Sequence, residues 1–238
     1  MKLAVQFFDS LPLPVQKRLF PVLRPRTYRE LAARRRWPPG QMRSLARFDE
    51  LRCLFIHIPK AAGTSVAQTL FGGITGHDSL RMLWLLYSPE EFRSYFKFTF
   101  VRNPWSRLVS AYHYLLLPER SASTQKWVQQ NIGHDTSFDQ FVRDWIPDNA
   151  LTSGILHFQT QSSLITLAGE VRVDFLGRVE NLDADFATIA NRLGCNVQLP
   201  HLNRGRSELD YRSLYTPVSR QIVADVYRED IQRFGYEF

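Results

Sequence analysis

Two short segments of the 238-residue chain carry residue types that bind oxyanions. The first reads Ile58-Pro59-Lys60-Ala61-Ala62-Gly63-Thr64-Ser65. Small residues there lead into a helix start, where free backbone N–H groups and the positive end of the helix dipole face one point. Lys60 adds a point charge, and Thr64 and Ser65 add hydroxyl donors, which makes a phosphate cradle. It is not a Walker A loop, in which Lys follows the second Gly and a hydroxyl residue stands beside it. The second segment runs from Phe100 to Ser110. Arg102 leaves a strand, and Ser110 lies about two helical turns further on. Arginine grips oxyanions through a planar fork, so this pair suits a second phosphate held apart from the first. Arg107, in the same segment, suits pairing with a carboxylate. No apolar strand ending in Asp supplies a magnesium ligand.

The elements around these segments follow from patterning. Residues 53–58 form an apolar run stopped by Pro59, which suits a buried parallel strand. A helix then runs from Thr64 toward Leu70, closed by Gly72-Gly73. Ser88-Pro89-Glu90-Glu91 is a helix start. A second buried strand spans 98–101, and Asn103-Pro104 caps a helix to about Leu117 whose apolar stripe holds Trp105, Leu108, Val109 and Tyr112. Further on, Ser137 caps a helix, 171–176 reads as a strand, and a helix over 183–193 ends at Gly194. Thr216-Pro217 opens a last helix to about Phe234. Strands alternating with helices predict an α/β sandwich with a central, mainly parallel sheet flanked by helices. Ligands of such sheets bind beyond the carboxyl ends of strands, where Lys60 and Arg102 fall.

With these residues in place, the chain resembles the PAPS-dependent sulfotransferases (PAPS is 3′-phosphoadenosine 5′-phosphosulfate). IPKAAGTS is similar to their 5′-phosphosulfate loop, and FVRNPWSRLVSAY to their 3′-phosphate motif, Arg-to-Ser spacing included. Further similarity lies in Phe175-Leu176-Gly177-Arg178-Val179-Glu180-Asn181-Leu182, in Asp185-Phe186, in His201-Leu202-Asn203, and in the end from Asp230 to Tyr236. It covers about residues 53–238 and is greatest to the carbohydrate branch, with its Golgi heparan and chondroitin enzymes and bacterial relatives. The resemblance implies a P-loop-like three-layer sandwich and transfer of a sulfuryl group from PAPS to a carbohydrate or glycoconjugate hydroxyl, releasing PAP, with no metal. It implies that Lys60 contacts the phosphosulfate and stabilises the leaving phosphate. Ala62, Gly63, Thr64 and Ser65 line the same loop, and Arg102 and Ser110 bind the 3′-phosphate. The loop differs from that of the cytosolic small-molecule enzymes, which disfavours a phenol or steroid acceptor.

In-line transfer to a weakly acidic hydroxyl calls for a base, and histidine suits neutrality. Of six histidines, His57 lies inside the first strand and His113 inside a helix, while His134, His157 and His201 lie in or near loops. Relatives place a histidine where His77 stands, in Gly76-His77-Asp78-Ser79, so the resemblance points to His77 as general base. His157 and the carboxylates Glu90 and Glu91 remain alternatives. Glu180, just after Arg178, suits a structural ion pair, and Gln159 and Gln161 suit binding of acceptor hydroxyls. The loop over 201–207 is basic and suited to folding over the nucleotide.

Composition narrows the function further. The net charge is +7, and residues 1–50 hold all of it, with 11 basic against 4 acidic residues, while 51–238 balance at 19 against 19. A balanced body argues against a broad nucleic-acid surface. Two cysteines, Cys53 and Cys195, make neither a disulfide framework nor a metal-ligand spacing. The division is thus a basic, Pro-rich arm over 1–50 and a catalytic domain over 51–238. The prolines of the arm exclude one long regular helix, and Thr27-Tyr28-Arg29-Glu30 reads as a capping box opening a helix through Arg36. The arm suits a solvated appendage, a lipid-headgroup contact through Phe7, Phe8, Leu19, Phe20 and Leu23, or an anionic-polymer groove. No run approaches the roughly 20 apolar residues of a membrane span, and the first residues make a poor signal peptide, which predicts a cytoplasmic protein, held at most at the membrane surface. Two other classes compete: a metal-dependent P-loop-type kinase or NTPase, against which the Lys-Gly order counts, and a non-catalytic binder of anionic polymers.

Overall fold

A computed structural model describes residues 7–200 and 210–238. His201, Leu202, Asn203 and the rest of the loop over 201–207 lie outside the described residues.

Along the chain the strands are Cys53–Ile56 (β1), Phe96–Val101 (β2), Thr166–Leu167 (β3), Glu170–Val171 (β4) and Phe175–Arg178 (β5). β1, β2 and β5 form a parallel sheet in that order, with Ile56 beside Thr99 and Val101 beside Arg178. β1 and nearly all of β2 are buried, as apolar runs covered on both faces must be. Gly177 is required in β5, because a Cβ there would lie 2.6 Å from the Phe100 ring.

Before the sheet come Leu13–Leu23 (α1), Pro25–Arg34 (α2) and Ala46–Glu50 (α3). Between β1 and β2 lie Gly63–Phe71 (α4), Leu80–Leu86 (α5) and Pro89–Ser94 (α6). After β2 follow Pro104–Leu115 (α7), Ala122–Asn131 (α8), Phe138–Asp144 (α9), Ile146–Asn149 (α10) and Gln161–Ile165 (α11). Leu182–Arg192 (α12), Pro217–Val226 (α13) and Arg228–Phe234 (α14) complete the chain. The fold is therefore α/β, a parallel three-stranded sheet flanked by helices. Side-chain oxygens of Ser88, Asn103, Ser137 and Thr216 cap α6, α7, α9 and α13, at the positions read from sequence. Gly194, after α12, has φ +68°, the left-handed conformation expected of it.

The apolar side chains form two main cores. One surrounds the sheet and takes in Val66, Leu70, Phe186 and Phe234. The other joins Trp105, Leu108 and Tyr112 of α7 to Phe141, Trp145, Phe158 and Val223. This division corrects the expectation of one helix to Phe234. The helix breaks at Tyr227, so that Val223 of α13 enters the second core and Phe234 of α14 enters the first. The expected strand over 171–176 is likewise two, because the chain leaves the β3–β4 hairpin to pair Asp174 with the backbone N–H of Lys97 at 2.7 Å.

The arm differs most from its sequence reading. The break falls at Arg24, and α1 keeps Pro21 within it. α2 starts at Pro25 with proline in its first turn, so Thr27 caps nothing, and it ends at Arg34 rather than Arg36. Phe8, Phe20 and Leu31 are buried against Leu85 of α5. Lys17 donates to the carbonyls of Trp84 and Tyr87, and Arg81 donates to Gln16 and Asp9. Phe7, Val22 and Leu23 remain exposed. Among the described residues no helix is long and apolar enough to cross a membrane.

Candidate active site

A cavity of about 550 Å³ opens beyond the carboxyl ends of β1, β2 and β5. Lys60, Ala62, Gly63, Thr64, Ser65, His77, Arg102 and Ser110 all line it. Tyr114, His57, His157 and Glu180 share its wall.

The loop between β1 and α4 is built for close approach. Lys60 and Ala62 have φ of +67° and +59°, conformations that cost an L-residue about 1–2 kcal/mol each and persist only where the surroundings enforce them. Gly63 opens α4 beneath the His57 ring, and a Cβ there would lie 2.0 Å from Cδ2 of that ring. No side chain caps α4, in contrast to α7, so its leading N–H groups remain available to an anion.

Lys60 brings the charge. Its amine lies 4.0 Å from the centre of the Tyr114 ring, and Arg120 stacks on the same ring at 4.2 Å. Burial, with the nearby Arg102 and Arg120 charges, pushes the amine down to about 8. It is still mostly cationic at pH 7, and an anion placed beside it favours the charged amine by direct attraction. Arg102 is held from its backbone outward. The Gln161 amide pairs with both its N–H (2.9 Å) and its C=O (2.8 Å), while Nε donates to Ser106 Oγ at 2.9 Å and Nη1 to the Lys60 carbonyl at 3.5 Å. Gln161 is itself fixed by buried Asp230, which accepts the N–H groups of Gln161 and Ser162 at 2.7 and 2.8 Å.

Three sequence expectations are corrected here. Arg107 pairs with no carboxylate among the described residues; its buried guanidinium donates to the carbonyls of Pro59, Gln159 and Leu156, lashing the loop after β1 to the segment before α11. Glu180 forms no ion pair with Arg178. It accepts the Asn103 N–H at 2.7 Å and the Tyr236 hydroxyl at 3.0 Å, while Arg178 donates to the Phe234 carbonyl. Gln159 and Gln161 are turned to backbone partners and neither lines the cavity.

His77 lies in the cavity wall with its ring 4.3 Å from that of His57. Its Nδ1 is 2.8 Å from the His57 carbonyl oxygen. A carbonyl only accepts, so Nδ1 carries a proton, and in the neutral ring the lone pair stands on Nε2. Burial and the neighbouring His77 hold His57 down to about 3, so that ring is neutral, with Nδ1 beside the Thr75 carbonyl and hydroxyl. His157 stacks on Tyr114, and burial with the Lys60 charge lowers it to about 4. Glu90 and Glu91 are not part of the cavity, and Glu91 is bound to Arg35 and to the Ser88 N–H. The sequence reading passed over Tyr114 as a cavity residue, although it stands one helical turn beyond Ser110 on the same face. Among the described residues no group of three or more His, Cys, Asp or Glu is placed to hold a metal ion.

Comparison with known proteins gives this arrangement a family. The sulfotransferase family profile matches residues 44–237. Carbohydrate sulfotransferase 14 of Danio rerio is 26% identical over 249 aligned residues, covering 87% of this chain and 65% of that protein. Carbohydrate sulfotransferase 14 of Mus musculus is 29% identical over 178 residues, covering 62% of this chain and 47% of that protein. An uncharacterized protein of Archaeoglobus fulgidus is 30% identical over 124 residues, 52% of this chain and 88% of that one. The chain thus spans less than two thirds of the length of the two carbohydrate sulfotransferases. No solved structure matches it.

Proposed function

Because the chain belongs to the sulfotransferase family, we propose that it moves a sulfuryl group from PAPS to a carbohydrate hydroxyl, and that its sheet is the centre of a P-loop-like three-layer sandwich. The observation that carries this reading is the meeting of two separate anion grips, Lys60 with the uncapped start of α4 and Arg102 with Ser110, on one cavity. One phosphate grip serves many nucleotides; a second, apart from the first, suits a 3′,5′-bisphosphate.

PAPS supplies an activated sulfuryl group. The chain's own residues do the rest. The N–H groups of Gly63, Thr64 and Ser65 and the Lys60 ammonium hold the 5′-phosphosulfate and neutralise charge as the phosphate oxygen leaves. Arg102 and Ser110 hold the 3′-phosphate. His77 Nε2 takes the acceptor's proton as the acceptor oxygen bonds to sulfur and the bond from sulfur to the phosphate oxygen breaks. The products are a sulfate ester, PAP and an imidazolium at His77. Positioning and electrostatics dominate, as in phosphoryl transfer. The carbohydrate acceptor is supported by the names of the two carbohydrate sulfotransferases.

The test is a thermal-shift titration with 3′-phosphoadenosine 5′-phosphate against ATP, with and without magnesium. A metal-independent rise in Tm with the bisphosphate, lost in Arg102→Ala, is expected. A rise with magnesium and ATP alone overturns the proposal in favour of a kinase. Transfer of labelled sulfate from PAPS to a panel of oligosaccharides then tests the acceptor class.

A further inference from the structure

The family match begins at residue 44, yet a side chain from before it ends beside the histidine loop. Arg34, the last residue of α2, is completely buried. Its two terminal nitrogens donate to the two carboxylate oxygens of Asp78 at 2.9 and 2.5 Å, and its Nε donates to the Arg43 carbonyl at 2.6 Å. Asp78 directly follows His77. On the other side of His77, the guanidinium packs against the Gly76 backbone so closely that a Cβ on Gly76 would lie 2.8 Å from Nη2. One buried cation therefore bonds one neighbour of the residue assigned as the base, Asp78, and lies against the other, Gly76. A forked pair of bonds sets a plane as well as a distance, which a single contact does not. The next residue, Ser79, caps α5, and α5 is itself held to the arm through Arg81 and Lys17.

We propose that Arg34 is a positioning residue for the transfer reaction: by holding Gly76 and Asp78 it fixes the loop in which His77 donates Nδ1–H to the His57 carbonyl and turns Nε2 to the acceptor. The proposal rests on the reading of His77 as the general base. It makes residues before the family match part of the working site.

The test uses the full chain labelled with ¹⁵N at histidine. Imidazole nitrogen shifts are recorded at pH 8 for the wild type, Arg34→Met, Arg34→Lys and Asp78→Asn, with His77→Asn as the assignment control. The same proteins are titrated with 3′-phosphoadenosine 5′-phosphate and assayed for sulfate transfer. The wild type is expected to show His77 protonated at Nδ1 alone. In Arg34→Met the two nitrogens average toward mixed tautomers and kcat falls by about tenfold or more, while bisphosphate Kd stays within about twofold. Arg34→Lys restores part of both readouts, because it returns the charge without the fork. Should circular dichroism show Arg34→Met unfolded, Asp78→Asn, which keeps an acceptor for the guanidinium, gives the same pattern at smaller amplitude. An unchanged His77 signature with kcat within about twofold in a folded variant overturns the proposal, and so does loss of bisphosphate binding in step with kcat. Full turnover in His77→Asn overturns the base assignment and with it the catalytic consequence. The imidazole shifts then decide by themselves whether Arg34 holds the ring.

Discussion

Replacing Lys60 with methionine is expected to make the ligand-free protein more stable while destroying its donor site. The amine falls from the ordinary lysine value of 10.5 to about 8, chiefly through burial. At about 1.4 kcal/mol per unit, that difference of roughly 2.5 units corresponds to about 3 kcal/mol by which the charged amine opposes folding. The position over Tyr114 returns about 1 kcal/mol, which leaves a net cost of about 2 kcal/mol. The sign follows from proton counts. Between pH 8 and 10.5 the unfolded chain binds the proton that the folded one has lost, so wild-type stability rises with pH across this window. The cost is full below pH 8 and fades toward pH 10.5. Methionine keeps the stem and the positive φ, so backbone strain cancels in the comparison. Urea denaturation at pH 7 should therefore place Lys60→Met about 2 kcal/mol above the wild type, or roughly 4–8 °C higher in Tm for a chain of this size. The gap should shrink to less than half by pH 10.5. A variant less stable than the wild type at pH 7, or a gap that ignores pH, would refute the reasoning. So would bisphosphate stabilising the variant as much as the wild type.

The other predictions concern neighbouring parts of the site. Arg102→Ala should cost about ten- to a hundredfold in affinity for the 3′,5′-bisphosphate and leave 5′-monophosphate binding nearly unchanged, as read by calorimetry. Gly63→Ala should lose donor binding and destabilise by more than about 1 kcal/mol, because the new methyl meets the His57 ring; a folded variant that binds normally sinks that account. His77→Asn should lower kcat by about 10²–10⁴-fold with bisphosphate affinity retained. Asp230→Ala should cost about 2–3 kcal/mol in denaturant, since it strands two buried N–H groups and frees the Gln161 clamp on Arg102.

The features legible in the sequence were local ones. A strand, a short loop and a helix start follow one another between Cys53 and Ser65, each set by residues a few positions apart. Caps such as Ser88 and Asn103 act within three residues, so spacing alone reveals them. Partners remote in the chain were not legible. Glu180 meets Asn103 from 77 positions away and Gln161 meets Arg102 from 59, and nothing near either residue announces it. The arm misled for a related reason. Its many arginines read as a solvated charge run, whereas Arg34 and Arg35 are spent on Asp78, Asp49 and Glu91. The break at Tyr227 was invisible because it answers to two separate cores, which periodicity along one helix does not encode.

Those two cores meet at the cavity. Lys60 and His77 belong to segments that leave the sheet core, whereas Ser110 and Tyr114 belong to α7, whose apolar face serves the other. Without ligand, the two are joined there by the bonds of Arg107 to Pro59 and Gln159 and of Gln161 to Arg102. A donor molecule held as proposed, by Lys60 on one side and Ser110 on the other, would add a further tie between the two cores. Its binding energy would then be felt across the whole domain: slower amide exchange in both cores, far from the nucleotide, and a higher Tm for the one unfolding transition.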